Sequence, residues 1–133
     1  MLIEKSQIKY IELNQYLYDE NNRFIFHFMI ETWGFSIVIM EKQGKAFARV
    51  YWFNDDDSFV YLDSLSVSEN NRRQRLGTEL QLMREKIGEI LGATDSYLWV
   101  LKDSWMYKWY LRRGYKDHID YDKNNIWMTK QLK

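Results

Sequence analysis

The segment Ser68-Glu69-Asn70-Asn71-Arg72-Arg73-Gln74-Arg75-Leu76-Gly77-Thr78-Glu79 holds the densest chemistry of this chain. Three arginines stand in a polar loop, and an apolar stripe at Leu76, Leu80, Met83, Ile87, Ile90 and Leu91 begins directly after them. That spacing predicts a helix whose N-terminus opens out of the loop. A helix N-terminus presents unpaired N–H groups and the positive end of a dipole, so it suits a phosphate or pyrophosphate. Gly77 in the first turn would let such a ligand approach the backbone closely. The same residues read equally well as a solvated basic loop that starts a helix. The loop has neither the Lys-Ser/Thr of a P-loop nor the glycine spacing of a dinucleotide fingerprint. Other chemistries find less support. There is no Cys, the two His are far apart in sequence, and no Ser sits in a nucleophile elbow. Thiol chemistry, a metal site and serine hydrolysis are therefore not indicated.

The elements around this segment read as follows. Ile8, Ile11 and Leu13 to Leu17 have loose helical spacing. Phe24 to Ile30 alternate as a strand with apolar residues on both faces. Thr32-Trp33-Gly34 turns the chain into a second strand, Phe35 to Glu41, and Gln43-Gly44 into a third, Lys45 to Phe53. Asn54-Asp55-Asp56-Asp57 is a loop, and Phe59 to Val67 is a fourth strand, which completes an antiparallel meander. The helix from Leu76 should stop at Gly92. Tyr97 to Leu101 is a short apolar run fit for a strand buried on both faces. Asp103 or Ser104 can cap a second helix running through Arg113 and closed by Gly114. Tyr115 to Tyr121 and Ile126 to Leu132 form a final hairpin. The order predicts an α/β or α+β fold with a mixed sheet, in a single domain spanning 1–133.

Composition narrows the function classes. The 133 residues are 46% hydrophobic and 17% aromatic, with six Trp and ten Tyr, which argues against disorder. Nineteen Lys and Arg balance nineteen Asp and Glu, so bulk electrostatic binding to nucleic acid or an anionic membrane is not expected. The neutral total hides an asymmetry: residues 1–67 carry six basic against ten acidic side chains, residues 68–116 ten against six. An anionic ligand on the basic part, and a cationic one on the acidic part, would fit that division. The absence of Cys and of a leader-like N-terminus makes a cytoplasmic protein the default expectation. Phe24 to Met40 is interrupted by His27, Glu31 and Gly34, which speaks against a membrane span.

The motifs, taken in order, resemble the GNAT superfamily of acyl-CoA-dependent N-acyltransferases. The family's Arg/Gln-x-x-Gly-x-Gly/Ala signature, at the start of the helix after the fourth strand, is matched by Arg72-Arg73-Gln74-Arg75-Leu76-Gly77, with Arg75 in place of the first glycine. A later motif, strand then Asn then short helix ending Phe-Tyr then Gly-Phe, is similar to Leu98-Trp99-Val100-Leu101-Lys102-Asp103 and Trp109-Tyr110 … Gly114-Tyr115. Asp103 takes the Asn place. The resemblance implies a mainly antiparallel mixed sheet with a splayed central strand pair, flanked by helices. It also implies one or two helices between the first two strands, where this chain has only Glu31 to Gly34.

What the resemblance implies for function is acyl transfer, with acetyl-CoA or another acyl-CoA as co-substrate and no metal. The acyl group would pass by direct attack to a primary amine of a small molecule or peptide. A catalytically silent domain that binds CoA or a protein partner is the alternative. The pyrophosphate would rest on backbone N–H groups from Arg73 to Thr78 (Arg73, Gln74, Arg75, Leu76, Gly77, Thr78), with charge from Arg72, Arg73 and Arg75. Leu65, Ser66 and Val67 would pair with the pantetheine arm like an added strand, one N–H polarising the thioester carbonyl. Tyr110 would protonate the departing thiolate, although an aromatic residue beside Trp105 and Trp109 is also an ordinary core residue. Asp63, two residues before Leu65 and on its face by strand period, is a candidate base; the plain reading is a strand-end carboxylate in solvent. Glu31 is a weaker second candidate. His27 reads as a packing residue on the Ile25 and Met29 face. Asp55-Asp56-Asp57 and Arg112-Arg113 read as solvated charge, with some capacity in the acidic loop to attract a cationic amine. Homodimers occur in the family, but no residue here marks an interface.

Overall fold

The computed structural model describes residues 5–20, 23–68 and 75–132. Helix α1 spans Lys5–Glu20, and four strands follow: β1 Phe24–Glu31, β2 Gly34–Glu41, β3 Ala46–Phe53 and β4 Phe59–Val67. Helix α2 (Leu76–Ile90) leads to β5 (Asp95–Leu101), then α3 (Trp105–Arg112), β6 (Lys116–Asp120) and β7 (Asn125–Gln131). The strands form one seven-stranded sheet in the order β1-β2-β3-β4-β5-β7-β6. Every pairing is antiparallel except β4 with β5. The mixed, mainly antiparallel α/β architecture expected from the motifs is the observed one. A tight turn joins β1 to β2, as Thr32-Trp33-Gly34 predicts, where the family pattern has one or two helices. It depends on Gly34 (φ 147°), because a side chain there would run into the carbonyl of Trp52.

Strand alternation gives the sheet two unlike faces. Phe35, Ile37 and Ile39 of β2, Ala48, Val50 and Trp52 of β3, and Val60 and Leu62 of β4 are buried on the face that carries the helices. Leu13 and Leu17 of α1 and Leu76, Leu80 and Ile87 of α2 close over them. Each of these side chains larger than alanine contributes about 1.5–3 kcal/mol by leaving water. Ile8 and Ile11, read with the same helix, point outward instead. Helix α1 packs beside α2, and α3 is hydrogen-bonded to α2 from its other side, so all three lie on one face.

The opposite face has no helix over it among the described residues. Ile25 and Met29 of β1, Trp99 and Leu101 of β5 and Ile119 of β6 stay exposed there. His27 is exposed on this side rather than packed, because the face it shares with Ile25 and Met29 is the uncovered one. Strand β5 likewise is not buried on both faces: Ser96 and Leu98 turn inward while Trp99 and Leu101 remain 40% and 56% exposed.

Candidate active site

The sheet opens at its centre. Strands β4 and β5 pair only at Phe59–Asp95, Val60–Ser96 and Tyr61–Tyr97, and no pairing continues beyond. Past that point β4 stays with β3 and β5 stays with β7, so the two parallel strands part. Ser64 marks the parting. It is an extra residue in β4, between Asp63 opposite Arg49 and Leu65 opposite Ala48, and its backbone is left-handed (φ 52°). Such a bulge bends its strand and resets the alternation of side chains.

That reset corrects one expectation. Asp63 and Leu65 do not share a face: Asp63 follows Arg49 to the helix-free side, and Leu65 follows the buried Ala48 to the helix side. The Asp63 carboxylate lies 4.0 Å from the Arg49 guanidinium and is partly exposed. It does not line the cleft described next.

The cleft, of about 630 Å³, is lined by Leu65, Ser66 and Val67, by Arg75, Gly77 and Thr78 at the start of α2, and by Trp105, Met106 and Trp109 of α3. Six residues singled out from the sequence thus meet in one place. Arg75 stands at the N-cap of α2 in the left-handed region (φ 61°, ψ 17°). An arginine therefore adopts the conformation for which the motif prefers glycine, at a cost of about 1 kcal/mol. Its side chain, which has no acceptor, does not cap the helix, while its carbonyl accepts from the Glu79 amide (3.0 Å). Leu76 is fully buried and anchors the helix rather than facing a ligand. Arg72, Arg73 and Gln74 lie outside the described residues.

A side chain added at Gly77 would reach ordinary contact with Val67 (3.6 Å) and Trp109 (3.9 Å), so the glycine keeps the space between α2 and the opposite wall open. That wall is fastened to α2 by Arg113. Its guanidinium lies 3.6 Å from the Trp109 ring centre and donates to Thr78 Oγ1 (3.1 Å) and to the Trp109 carbonyl (3.2 Å). Read from the sequence as solvated helix-end charge, Arg113 is instead partly buried and joins both sides of the cleft. An arginine four residues after Trp109 on the same helix face was the available signal. The cap of α3 is Ser104, whose hydroxyl accepts from the Tyr107 amide, whereas Asp103 precedes it with a left-handed backbone (φ 57°) and is exposed.

Tyr110 lies behind this wall, 4% exposed, edge-on to Trp109 and to Tyr115. Its hydroxyl oxygen accepts from Arg84 Nη2 at 2.8 Å, while its own proton has no acceptor among the described residues. Arg84 is 1% exposed and was not anticipated. It donates also to Gln81 Oε1 and to the Asp63 carbonyl at the bulge (3.3 Å). No carboxylate pairs with it among the described residues, and its Nε has no partner. Gln81 in turn donates to Glu85 and to the Tyr115 hydroxyl, which exchanges a hydrogen bond with Ser96; Lys130 supplies the countercharge of Glu85. Burial pushes the Tyr115 hydroxyl well above the usual phenol range. This network is carried by buried polar residues of α2 that stand between those of its apolar stripe, so hydropathy alone could not reveal it.

No cluster of His, Cys, Asp and Glu among the described residues could hold a metal ion, and no described helix is long and apolar enough to cross a membrane. No sequence-family model matches the chain, and no curated protein resembles it significantly in sequence. Solved structures do resemble it. A GNAT family acetyltransferase from Elizabethkingia anophelis with acetyl-CoA bound superposes with a TM-score of 0.63 at 10% identity, over 84% of this chain and 99% of its own. Nourseothricin acetyltransferase superposes with a TM-score of 0.61 at 15% identity, over 84% and 85%. A candidate acyl-CoA N-acyltransferase from Klebsiella pneumoniae, TM-score 0.63 at 14% identity, covers 98% of this chain and 92% of its own. The splayed strand pair, the helix that starts in the cleft and these superpositions together establish that the chain has the GNAT fold, in a short form that joins β1 to β2 by a turn.

Proposed function

We propose that the chain, as a single GNAT-like domain, transfers an acetyl or other short acyl group from CoA to a primary amine. The observation that carries this reading is the cleft between the parted β4 and the α2 start, with Trp109 opposite. The backbone of Leu65 and Ser66 borders it, and a pantetheine arm can lie along that edge as an added strand. The amides at the start of α2, with the charge of Arg75, suit the pyrophosphate. The amine nitrogen attacks the thioester carbonyl carbon, the C–S bond breaks, and the sulfur leaves with the electron pair. A backbone N–H of β4 stabilises the oxyanion. Tyr110 then gives its proton to the thiolate, and the proton that the amine nitrogen sheds as the amide forms restores the Tyr110 phenol by way of water. Support for this role is that Arg84 donates into the Tyr110 oxygen, which turns the phenol proton elsewhere. With Asp63 on the other face, an incoming ammonium loses its proton to water rather than to that carboxylate.

A second reading has its own observation. Trp109, not Tyr110, lines the cleft, which favours a domain that holds CoA without turnover. Calorimetry with acetyl-CoA followed by release of free thiol across a panel of primary amines separates the two. We expect binding and amine-dependent thiol release. Binding without release from any amine supports the silent domain, and no binding removes both. In the Tyr110→Phe protein the rate should fall about 10²-fold with acetyl-CoA binding retained. An unchanged rate and pH profile would remove Tyr110 as the acid.

A further inference from the structure

The helix-free face carries a groove of about 530 Å³ at the closed end of β4 and β5. Its walls are aromatic: Phe53, Phe59, Tyr61, Tyr97 and Trp127, each partly buried. Phe53 and Phe59 lie 5.7 Å apart, Tyr97 meets Phe59 edge-on at 5.6 Å, and Tyr61 and Trp127 are 5.6 Å apart. Two carboxylates, Asp56 and Asp95, line the same groove together with the His118 ring, which meets Tyr97 edge-on at 5.2 Å, and no Lys or Arg among the described residues does. Asp56 is held by the Ser58 amide (3.2 Å) and hydroxyl (2.6 Å), and Asp95 by the Thr94 hydroxyl (2.9 Å). Neither is ion-paired among the described residues, in contrast to their neighbour Asp57, which meets Lys5 at 2.7 Å.

Ring faces carry negative potential, and the carboxylates add to it, so an anion is repelled and a cation attracted. A bare ammonium keeps its water tightly and gains little from apolar walls. An alkylated ammonium is weakly hydrated and presents carbon to the rings while its charge faces the carboxylates. We propose that this groove binds an alkylated organic ammonium ion. The site lies on the opposite side of the sheet from the cleft and at the end where β4 and β5 are still paired, so it does not depend on the acyl-transfer reading.

Tetramethylammonium chloride is the probe, titrated at constant ionic strength into the labelled full chain while the Trp127 indole N–H and the amides of Phe59 and Tyr97 are followed by NMR. Saturable shifts confined to these groups are expected, with a dissociation constant in the millimolar range, as fits a few cation–π contacts on an open surface. Neopentyl alcohol, the neutral molecule of similar shape, should bind at least about tenfold more weakly. The protein with Asp56→Asn and Asp95→Asn should lose roughly tenfold in affinity with an unchanged spectrum elsewhere. The proposal is overturned by the absence of saturable shifts up to roughly 100 mM probe. It is overturned equally by the alcohol binding as well as the cation, or by Asp95→Asn alone and the double variant both leaving affinity unaltered.

Discussion

Both faces of the sheet carry large apolar side chains, yet they do different things. On one face three helices exclude water, and Trp52, Phe35 and Ile37 are fully buried. On the other, Trp99, Met29 and Ile119 remain 40%, 61% and 59% exposed. Between the faces the strand pair β4–β5 separates, and a bulge at Ser64 moves one side chain across. The difference teaches that hydropathy here measures sheet formation as much as burial: aromatic residues stack across strands on the open face and stabilise the sheet without being covered.

The comparison breaks most directly by truncating a tryptophan on each face. Trp52→Ala should cost about 3–5 kcal/mol in urea unfolding, and Trp99→Ala no more than about 1 kcal/mol. Equal losses would mean that the open face is covered in solution. Next in size is Arg84→Ala, expected to cost about 3 kcal/mol, because the Tyr110 oxygen, Gln81 Oε1 and the Asp63 carbonyl all lose a buried donor. A loss below about 1 kcal/mol would show that water replaces the guanidinium and that the network is not sealed by the helices.

A smaller effect, about 1–2 kcal/mol, should follow Tyr115→Phe, which removes the hydroxyl shared by Gln81 and Ser96. Its pH dependence is more telling. Burial raises this phenol above its ordinary value, so the unfolded chain releases the proton at about pH 10 while the folded chain still holds it. The stability this group contributes is therefore complete below about pH 10 and declines as the pH rises further. Tyr115→Phe should flatten that decline, and an identical alkaline slope in both proteins would place the hydroxyl in contact with solvent. The smallest effect on stability belongs to Gly77→Ala. Contacts of 3.6 and 3.9 Å accommodate the methyl group, and alanine favours a helix by about 1 kcal/mol, so the protein should be as stable or slightly more so. Affinity for acetyl-CoA should nevertheless fall about tenfold, because the methyl fills the cleft. Unchanged affinity would move the CoA site away from α2.

Much of the fold was legible because it is written in short periods. Phe24 to Ile30, Phe35 to Glu41 and Phe59 to Val67 alternate as strands, and all three are strands. The stripe from Leu76 to Leu91 repeats as a helix, which α2 is. The motifs also bring Leu65 to Val67, Arg75, Gly77 and Thr78 to one cleft. Less legible was anything set by contact across elements: Arg113 joining α3 to α2, and Arg84 reaching Tyr110 across 26 residues of chain.

The sequence by itself determined the order and type of the elements and the position of the basic loop before α2, since these depend on residue period and on turn-forming residues close together in the chain. Tertiary structure alone decided which face of each strand is covered, because alternation separates two faces without saying which one receives the helices. It also decided the fate of Asp63. A single inserted residue at Ser64, with no glycine or proline to announce it, turns Leu65 to the helix side and leaves that carboxylate on the opposite side, away from the cleft.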